Sequence, residues 1–354
     1  MATPRVLLVT HSRDVFTVDR VQQALVDRGI EAVRLDTDRF PLGQELSLVI
    51  EGDSSRKDPR QEELSWDAVW LRKVWPPDLS DVDPEYAAAV RQEVQAFWRV
   101  FWDGVTAAGP RPTRWINNPV AAFAAENKGR QLREARDIGL AVPDTVITNR
   151  MSDVRQLLGR HPGGIVSKML TPLSVSLEGD GPFAYTQIVE REDLEDADSL
   201  RACPMVFQER IEAEVELRVV VIESEVYVGG IRTPGQSGSA EDIAESRAKP
   251  DDTRAATSAR SSRSATEAAV DWRRGGTGAA WENASLSEET KDKVVALVQR
   301  LGLVYAALDL IRTPSGEDVF LEANPSGEWG MLERDLGLPI AESLARALAG
   351  SRPE

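Results

Sequence analysis

A single cysteine, Cys203, and two histidines, His11 and His161, stand among the 354 residues. One thiol excludes an internal disulfide and any cysteine-rich zinc site, and it reads as a small buried apolar residue. Two imidazoles leave little for histidine-based metal centres or catalytic triads. No apolar run approaches the ~20 residues that a membrane helix needs, and the N-terminus lacks the basic-then-apolar pattern of a signal peptide. The expectation is a cytoplasmic protein without a membrane partner. Bases are also short: 42 Lys and Arg against 58 Asp and Glu give a net charge of −16. That is the wrong sign for general binding to a phosphate backbone, so no nucleic-acid partner is expected.

What is present suffices for two or three hydrophobic cores, since single domains usually run about 100–200 residues. Arg5 to Thr10 reads as a strand, Val18 to Arg28 as a helix closed by Gly29, and Glu31 to Leu35 as a second strand, a β-α-β opening. It carries no G-x-G-x-x-G, so no dinucleotide site is assigned. Trp66 to Trp75 is strand-like and brings Arg72 and Lys73 before Pro76 and Pro77. From Pro84 to about Ala108 the spacing is helical, with Phe97, Trp98, Phe101 and Trp102 on one apolar stripe that reads as core. A first domain of α/β type spans 1–117.

Asn118 caps a helix with Pro119 at its first turn and Gly139 as its stop. Either this helix runs through Lys128, or it breaks near Asn127 and lets Lys128 point into a cleft. Gly164 to Met169 is a strand whose Lys168 sits in an apolar run and requires a partner. Thr171 to Phe183 reads as a loop and candidate lid. Met205 to Arg210 is a strand ending in Gln208 and Glu209, with Ile211 after it. On the next strand Glu216 and Arg218 share a face by the period of two. Val226 to Ile231 is its hairpin partner. Residues 233–269 are almost devoid of large apolar side chains and read as a solvated, flexible insertion. Ser285 and Glu288 form a capping box for a helix that Gly302 ends. The second and third domains span 118–206 and 207–354.

The stretch between Ala306 and Trp329 is the most informative. Thr313, Pro314, Ser315 and Gly316 fit a type I turn. With Pro314 and Ser315 as the loop, Arg312 pairs with Glu317, Asp309 lies opposite Phe320, and Glu322 is diagonal to Asp309 on the same face. Asn324 points the same way. Two carboxylates and an amide oxygen suit a hard cation such as Mg²⁺, which takes few protein ligands and fills the rest with water and phosphate. A surface hairpin with solvated acids is the bland alternative. Against it, Glu322 lies between Leu321 and Ala323 in an otherwise apolar strand.

This order of lysines, strand-end acids and an Asp…Glu-x-Asn face resembles the ATP-grasp ligases from Asn117 onward. The tail FLEANPSGEWGMLE is similar to that of the graspetide synthetases, the microviridin-type peptide maturases, as are Asp271-Trp272-Arg273 and the basic pair Arg72-Lys73. The resemblance implies an α+β ATP-grasp fold behind an N-terminal α/β pre-ATP-grasp domain, with ATP and Mg²⁺ as cofactors. It implies that Lys128 and Lys168 reach the phosphates, that Gln208, Glu209 and Ile211 hold adenine, and that Glu216 holds the ribose. Arg273 and Arg218 would steady the transferring group, while Asp309, Glu322 and Asn324 would bind the metal. Arg72 and Lys73 would seat the leader of a ribosomal precursor peptide whose core is crosslinked, and the enzyme would be a homodimer. A carboxylate-amine ligase of a small amino acid is the second reading, and a peptide-binding module without catalysis the third.

Overall fold

The computed structural model describes residues 3–50, 64–109, 111–170, 186–233 and 280–350. Three sheets organise them, one for each third of the chain.

The first sheet holds β1 (Arg5–Thr10), β2 (Glu31–Asp36), β3 (Ala68–Leu71) and β4 (Arg114–Ile116) in the parallel order β2-β1-β3-β4. The interior of β1, Val6 to Val9, is wholly apolar because this strand is covered on both faces, as parallel strands are. Leu7 and Val9 enter a core with the aromatic stripe of the long helix α2 (Pro84–Ala108), where Trp98 and Trp102 stack at 5.1 Å. Val6 and Leu8 enter a second core with the first helix, α1 (Phe16–Val26). Asp83 accepts a hydrogen bond from Glu85 N at 3.0 Å and starts the long helix, with Pro84 in its first turn.

Two short helices follow, α3 (Pro119–Ala125) and α4 (Lys128–Asp137). The chain therefore breaks at Glu126 and Asn127, the second of the two sequence alternatives. Asn127 begins the new helix by accepting from Arg130 N at 2.9 Å. The central sheet has β5 (Thr145–Thr148), β6 (Ile165–Lys168), β7 (Gln187–Ile188) and β8 (Met205–Glu209) in the order β5-β8-β6-β7. Its strands pair antiparallel, with α5 (Met151–Arg160) packed on one face through Val154 and Leu157 and α6 (Ala197–Ala202) beside it, ending at Cys203, which is exposed rather than buried as expected. β8 runs through Glu209, so the change of sheet falls at 210–214 rather than between 206 and 207.

The third sheet runs β11-β10-β9-β12-β13, from β9 (Val215–Ile222), β10 (Glu225–Arg232), β11 (Glu282–Asn283), β12 (Tyr305–Arg312) and β13 (Asp318–Asn324). One face packs on α7 (Glu288–Arg300) and, through Leu132 and Ala135, on α4. The N-cap of α7 is Ser287, whose Oγ accepts from Thr290 N at 3.1 Å, in place of the Ser285 expected from the capping-box spacing. The other face contributes Val220, Ile222, Tyr305 and Ala307 to the core that Val6 and Leu8 enter. The last two helices, α8 (Gly330–Leu336) and α9 (Ile340–Ala349), close that core. First and third sheets thus share one hydrophobic core. No described helix is long and apolar enough to cross a membrane.

Candidate active site

The turn at Thr313 forms as its residues require: Gly316 N donates to Thr313 O at 2.9 Å, and Gly316 takes φ +85°. A type I turn followed by a left-handed glycine makes a three-residue loop. Arg312 consequently pairs with Asp318, not with Glu317. A second irregularity follows. Leu310 faces Phe320, but Asp309 faces Glu322, so Leu321 is an extra residue in β13.

This bulge decides which side chains share a face. Without it, Glu322 would point to the helix-covered face. With it, Phe320 and Ala323 both enter the core with α7, and Glu322 joins Asp309 on the opposite side. The two carboxylates are therefore directly across from one another, closer than the diagonal expected from sequence. Asn324 lies two residues on, opposite Ala307.

Arg218 pairs with Asp309 in the ladder, and Gly229 with Arg218, which gives one row across four strands: Gly229, Arg218, Asp309, Glu322. Arg218 is 5% exposed, and its Nη1 lies 2.6 Å from Asp309 Oδ1. Burial works against its charge, but the Asp309 carboxylate outweighs that and holds its pKa above the usual range. At the far end of the row, Lys128 Nζ lies 2.5 Å from Glu322 Oε2. The helix break puts Lys128 at the first position of α4, which lets it reach this face. Glu216 sits two residues before Arg218, opposite Ile311 and Ile231, on the same face of the sheet.

The loop after β13 lies flat on this row. A Cβ at Gly327 would come within 2.5 Å of Ala307 Cβ and 2.7 Å of Arg218 Nη2, so only glycine fits. Arg218 Nε and Nη2 donate to Glu328 O at 3.1 and 2.9 Å. Asn324 Oδ1 accepts from Ser326 N at 3.0 Å, an Asx turn that fixes the amide.

Residues of the first sheet hold the same loop from the other side. Asn117, 1% exposed, donates to Tyr305 O at 2.8 Å and Pro325 O at 2.9 Å, while its Oδ1 accepts from Val304 N and Tyr305 N. Arg72 donates to Ser326 O at 2.5 Å and Gly327 O at 3.3 Å and pairs with the Glu328 carboxylate. Burial would raise the Glu328 pKa, yet the Arg72 guanidinium and the Gly330 N–H bring it below the ordinary value.

The expected leader-binding role needs correcting at Arg72. Its side chain is 0% exposed and clamps this loop, so it offers no surface to a peptide. Lys73 is 29% exposed, 3.5 Å from Glu328 Oε2, with its pKa lowered by burial and by Arg72.

The central sheet supplies a second set. Val166 pairs with Gln208 and Lys168 with Val206, so Lys168 and Gln208 share a face. Gln208 is 3% exposed and donates to Thr145 Oγ1 at 3.0 Å. Glu209 faces the other way, and its Oε1 lies 3.3 Å from His161 Nδ1. Its side chain is thereby separated from Lys168, while Ile211 follows half-buried in the connection to β9. Arg273 with Asp271 and Trp272, the lid at Thr171 to Phe183, and all of the 233–269 insertion after Thr233 lie outside the described residues.

Among the described residues there is no group of three or more His, Cys, Asp or Glu that could hold a metal. Two opposed carboxylates with an amide oxygen nevertheless suit Mg²⁺, which commonly takes one or two carboxylates and completes its shell with water and nucleotide phosphate. Gln131 and Asn117, both buried on the backbone flanking these ligands, are polar residues that sequence reasoning passed over.

A family model described as the MvdD pre-ATP grasp domain matches residues 5–119. Macrocyclase MdnB of Microcystis aeruginosa MRC is 35% identical, with TM-score 0.73, over 98% of this chain and 100% of its own. Macrocyclase MdnC of the same organism, bound with precursor peptide MdnA, is 27% identical, with TM-score 0.77, over 98% of this chain and 100% of its own. A Chryseobacterium gregarium RiPP-associated ATP-grasp ligase, in complex with ADP and a leader and core peptide, shares the fold at 24% identity and TM-score 0.77, over 99% and 98% of the two chains. No curated protein matches the chain.

Proposed function

The chain belongs to the graspetide synthetases, the ATP-grasp ligases that macrocyclise ribosomally made peptides, and from that premise we propose how its residues divide the work. The enzyme is an ATP- and Mg²⁺-dependent ligase of a precursor peptide. It activates Asp or Glu side-chain carboxylates of the core and joins them to Thr or Ser hydroxyls, or Lys amines, as cyclic esters or amides. The observation that carries this reading is the row Arg218, Asp309, Glu322 with Lys128 at its end, in a chain that matches a macrocyclase over its full length.

Asp309, Glu322 and Asn324 would hold Mg²⁺, which when bound would supply positive charge to offset the negative charge developing on the transferring phosphoryl group. Lys128 and Lys168 hold the phosphates from the two lobes. Gln208, with the backbone from Glu209 to Ile211, lines the adenine and Glu216 takes the ribose. A substrate carboxylate oxygen attacks the γ-phosphorus in line, ADP leaves, and an acyl phosphate forms. Arg218 and Arg273 stabilise the charge that develops. A hydroxyl or amine held nearby then attacks the acyl carbon, expelling phosphate and losing its proton. Lys73 is the member of the basic pair with surface open to the peptide leader. The enzyme acts in the cytoplasm as a homodimer, for which sedimentation should give twice the chain mass.

Replacing Glu322 by Gln tests the reading. The variant should fold and lose more than the roughly hundredfold typical of an outer-shell partner. Turnover near wild type would remove Glu322 from the metal set. A small amino acid that stimulates ATP hydrolysis, in place of the peptide, would move the enzyme to the carboxylate-amine ligases.

A further inference from the structure

β13 ends the strand order of its sheet, so one of its edges is not covered by another strand among the described residues. Such an edge exposes backbone donors and acceptors and is easily displaced. Along β13 this matters most at Ala323, the residue between Glu322 and Asn324. A side chain replaces the missing strand there. Gln131 Nε2 donates to Ala323 O at 2.7 Å, and Gln131 Oε1 accepts from Ala323 N at 2.9 Å. The amide group copies the paired bonds a neighbouring strand would make. The single Ala323 N–H points at Gln131, so it is turned away from β12.

The second Nε2 hydrogen goes to Ala125 O at 2.6 Å. That carbonyl closes α3 at the break that lets Lys128 begin α4. Gln131 is 2% exposed, and three of its four hydrogen-bonding positions are filled. Lys128 lies one turn before it on the same helix and grips the Glu322 carboxylate. One helix thus holds the Glu322 side chain with a charge and the adjacent backbone with an amide. The amide also fixes the break on which the lysine's position depends.

We propose that Gln131 is a positioning residue for the metal centre: it locks the β13 edge so that Glu322 and Asn324 are presented with fixed spacing, and ties that spacing to Lys128. The inference rests on the assignment of Glu322 and Asn324 as metal ligands. A buried amide serving stability alone would lower melting temperature without changing metal affinity in the folded protein. A positioning residue changes metal affinity well below the melting transition.

The experiment titrates Mn²⁺ into the full-length protein with a non-hydrolysable ATP analogue, reading free Mn²⁺ by electron paramagnetic resonance. Wild type, Glu322→Gln and Gln131→Met are compared at a temperature where all are folded by circular dichroism. The expected result is a loss of Mn²⁺ affinity on the order of tenfold for Gln131→Met, as when an outer-shell partner is removed, and a larger loss for Glu322→Gln. The apparent Mg²⁺ requirement for turnover should rise in parallel, while analogue affinity without metal stays within about twofold of wild type. Weak binding in Glu322→Gln but wild-type affinity in Gln131→Met overturns the role of Gln131 and leaves the metal site standing. Wild-type affinity in Glu322→Gln overturns the metal assignment itself, and the inference with it. A further measurement needs no variant. The Ala323 amide should exchange slowly with deuterium in wild type, and exchange at the rate of an open strand edge contradicts the lock.

Discussion

Arg218 and Gly327 show how single residues set this face. Arg218 is buried between Asp309 and the Glu328 carbonyl. Removing it leaves a carboxylate facing an empty slot, and breaking such a pair costs about 3–5 kcal/mol. Arg218→Met should therefore lower stability by about that amount in a urea titration and lose activity besides. Gly327→Ala would force a methyl into Ala307 and Arg218, with an expected cost of about 1–3 kcal/mol. Its activity should fall more than its stability, since the displaced Arg218 is the partner of Asp309, a proposed metal ligand. Arg72, assigned from sequence with Lys73 to the leader, is buried, so Arg72→Ala is expected to lower thermal stability with leader affinity unchanged. Binding of the labelled leader to the folded variant checks this.

Strands and helices carry the next level, and here the sequence was readable in part. Alternation placed Glu216 and Arg218 on one face, and Asn118-Pro119 marked the first helix start, while the break near Asn127 was only one of two alternatives. The bulge at Leu321 was not readable, because Phe320 and Leu321 are both apolar and either could face the core. Strand parity was right about Asp309 and Glu322 sharing a face, though by a different register. The clamp of Arg72 on Ser326 to Glu328 joins residues more than 250 apart in sequence, which no local pattern reveals. Glu225 makes an element-scale prediction. It begins β10 and binds Tyr227, Ser343 and Arg346, fastening that strand to α9. Burial would raise its pKa, but these hydrogen bonds and the Arg346 charge bring it from an ordinary 4.5 down to about 2. A depressed carboxylate adds stability above its unfolded pKa and loses it as pH falls through the folded one. Wild type should therefore lose stability between about pH 4.5 and 2 more steeply than Glu225→Gln. Thermal melts across that range check the difference.

On the scale of the molecule, the first and third sheets act as one body because they share a core and because Asn117 and Arg72 bind the loop that follows the candidate metal ligands. An N-terminal domain that looked separable in sequence is fastened to the chemistry of the C-terminal lobe. The central sheet carries Lys168 and Gln208 on one face, the face that the proposed reading gives to the nucleotide. The net charge of −16 adds a cost for an acidic core peptide, so peptide KM should fall as salt screens that repulsion. The account is tested most directly by mass spectrometry of a candidate precursor peptide after incubation with the enzyme, ATP and Mg²⁺. It predicts successive losses of one water per crosslink, each matched by one ADP, with no loss under Glu322→Gln. An unchanged peptide mass from active wild-type enzyme, with ATP consumed on a free amino acid instead, would contradict it.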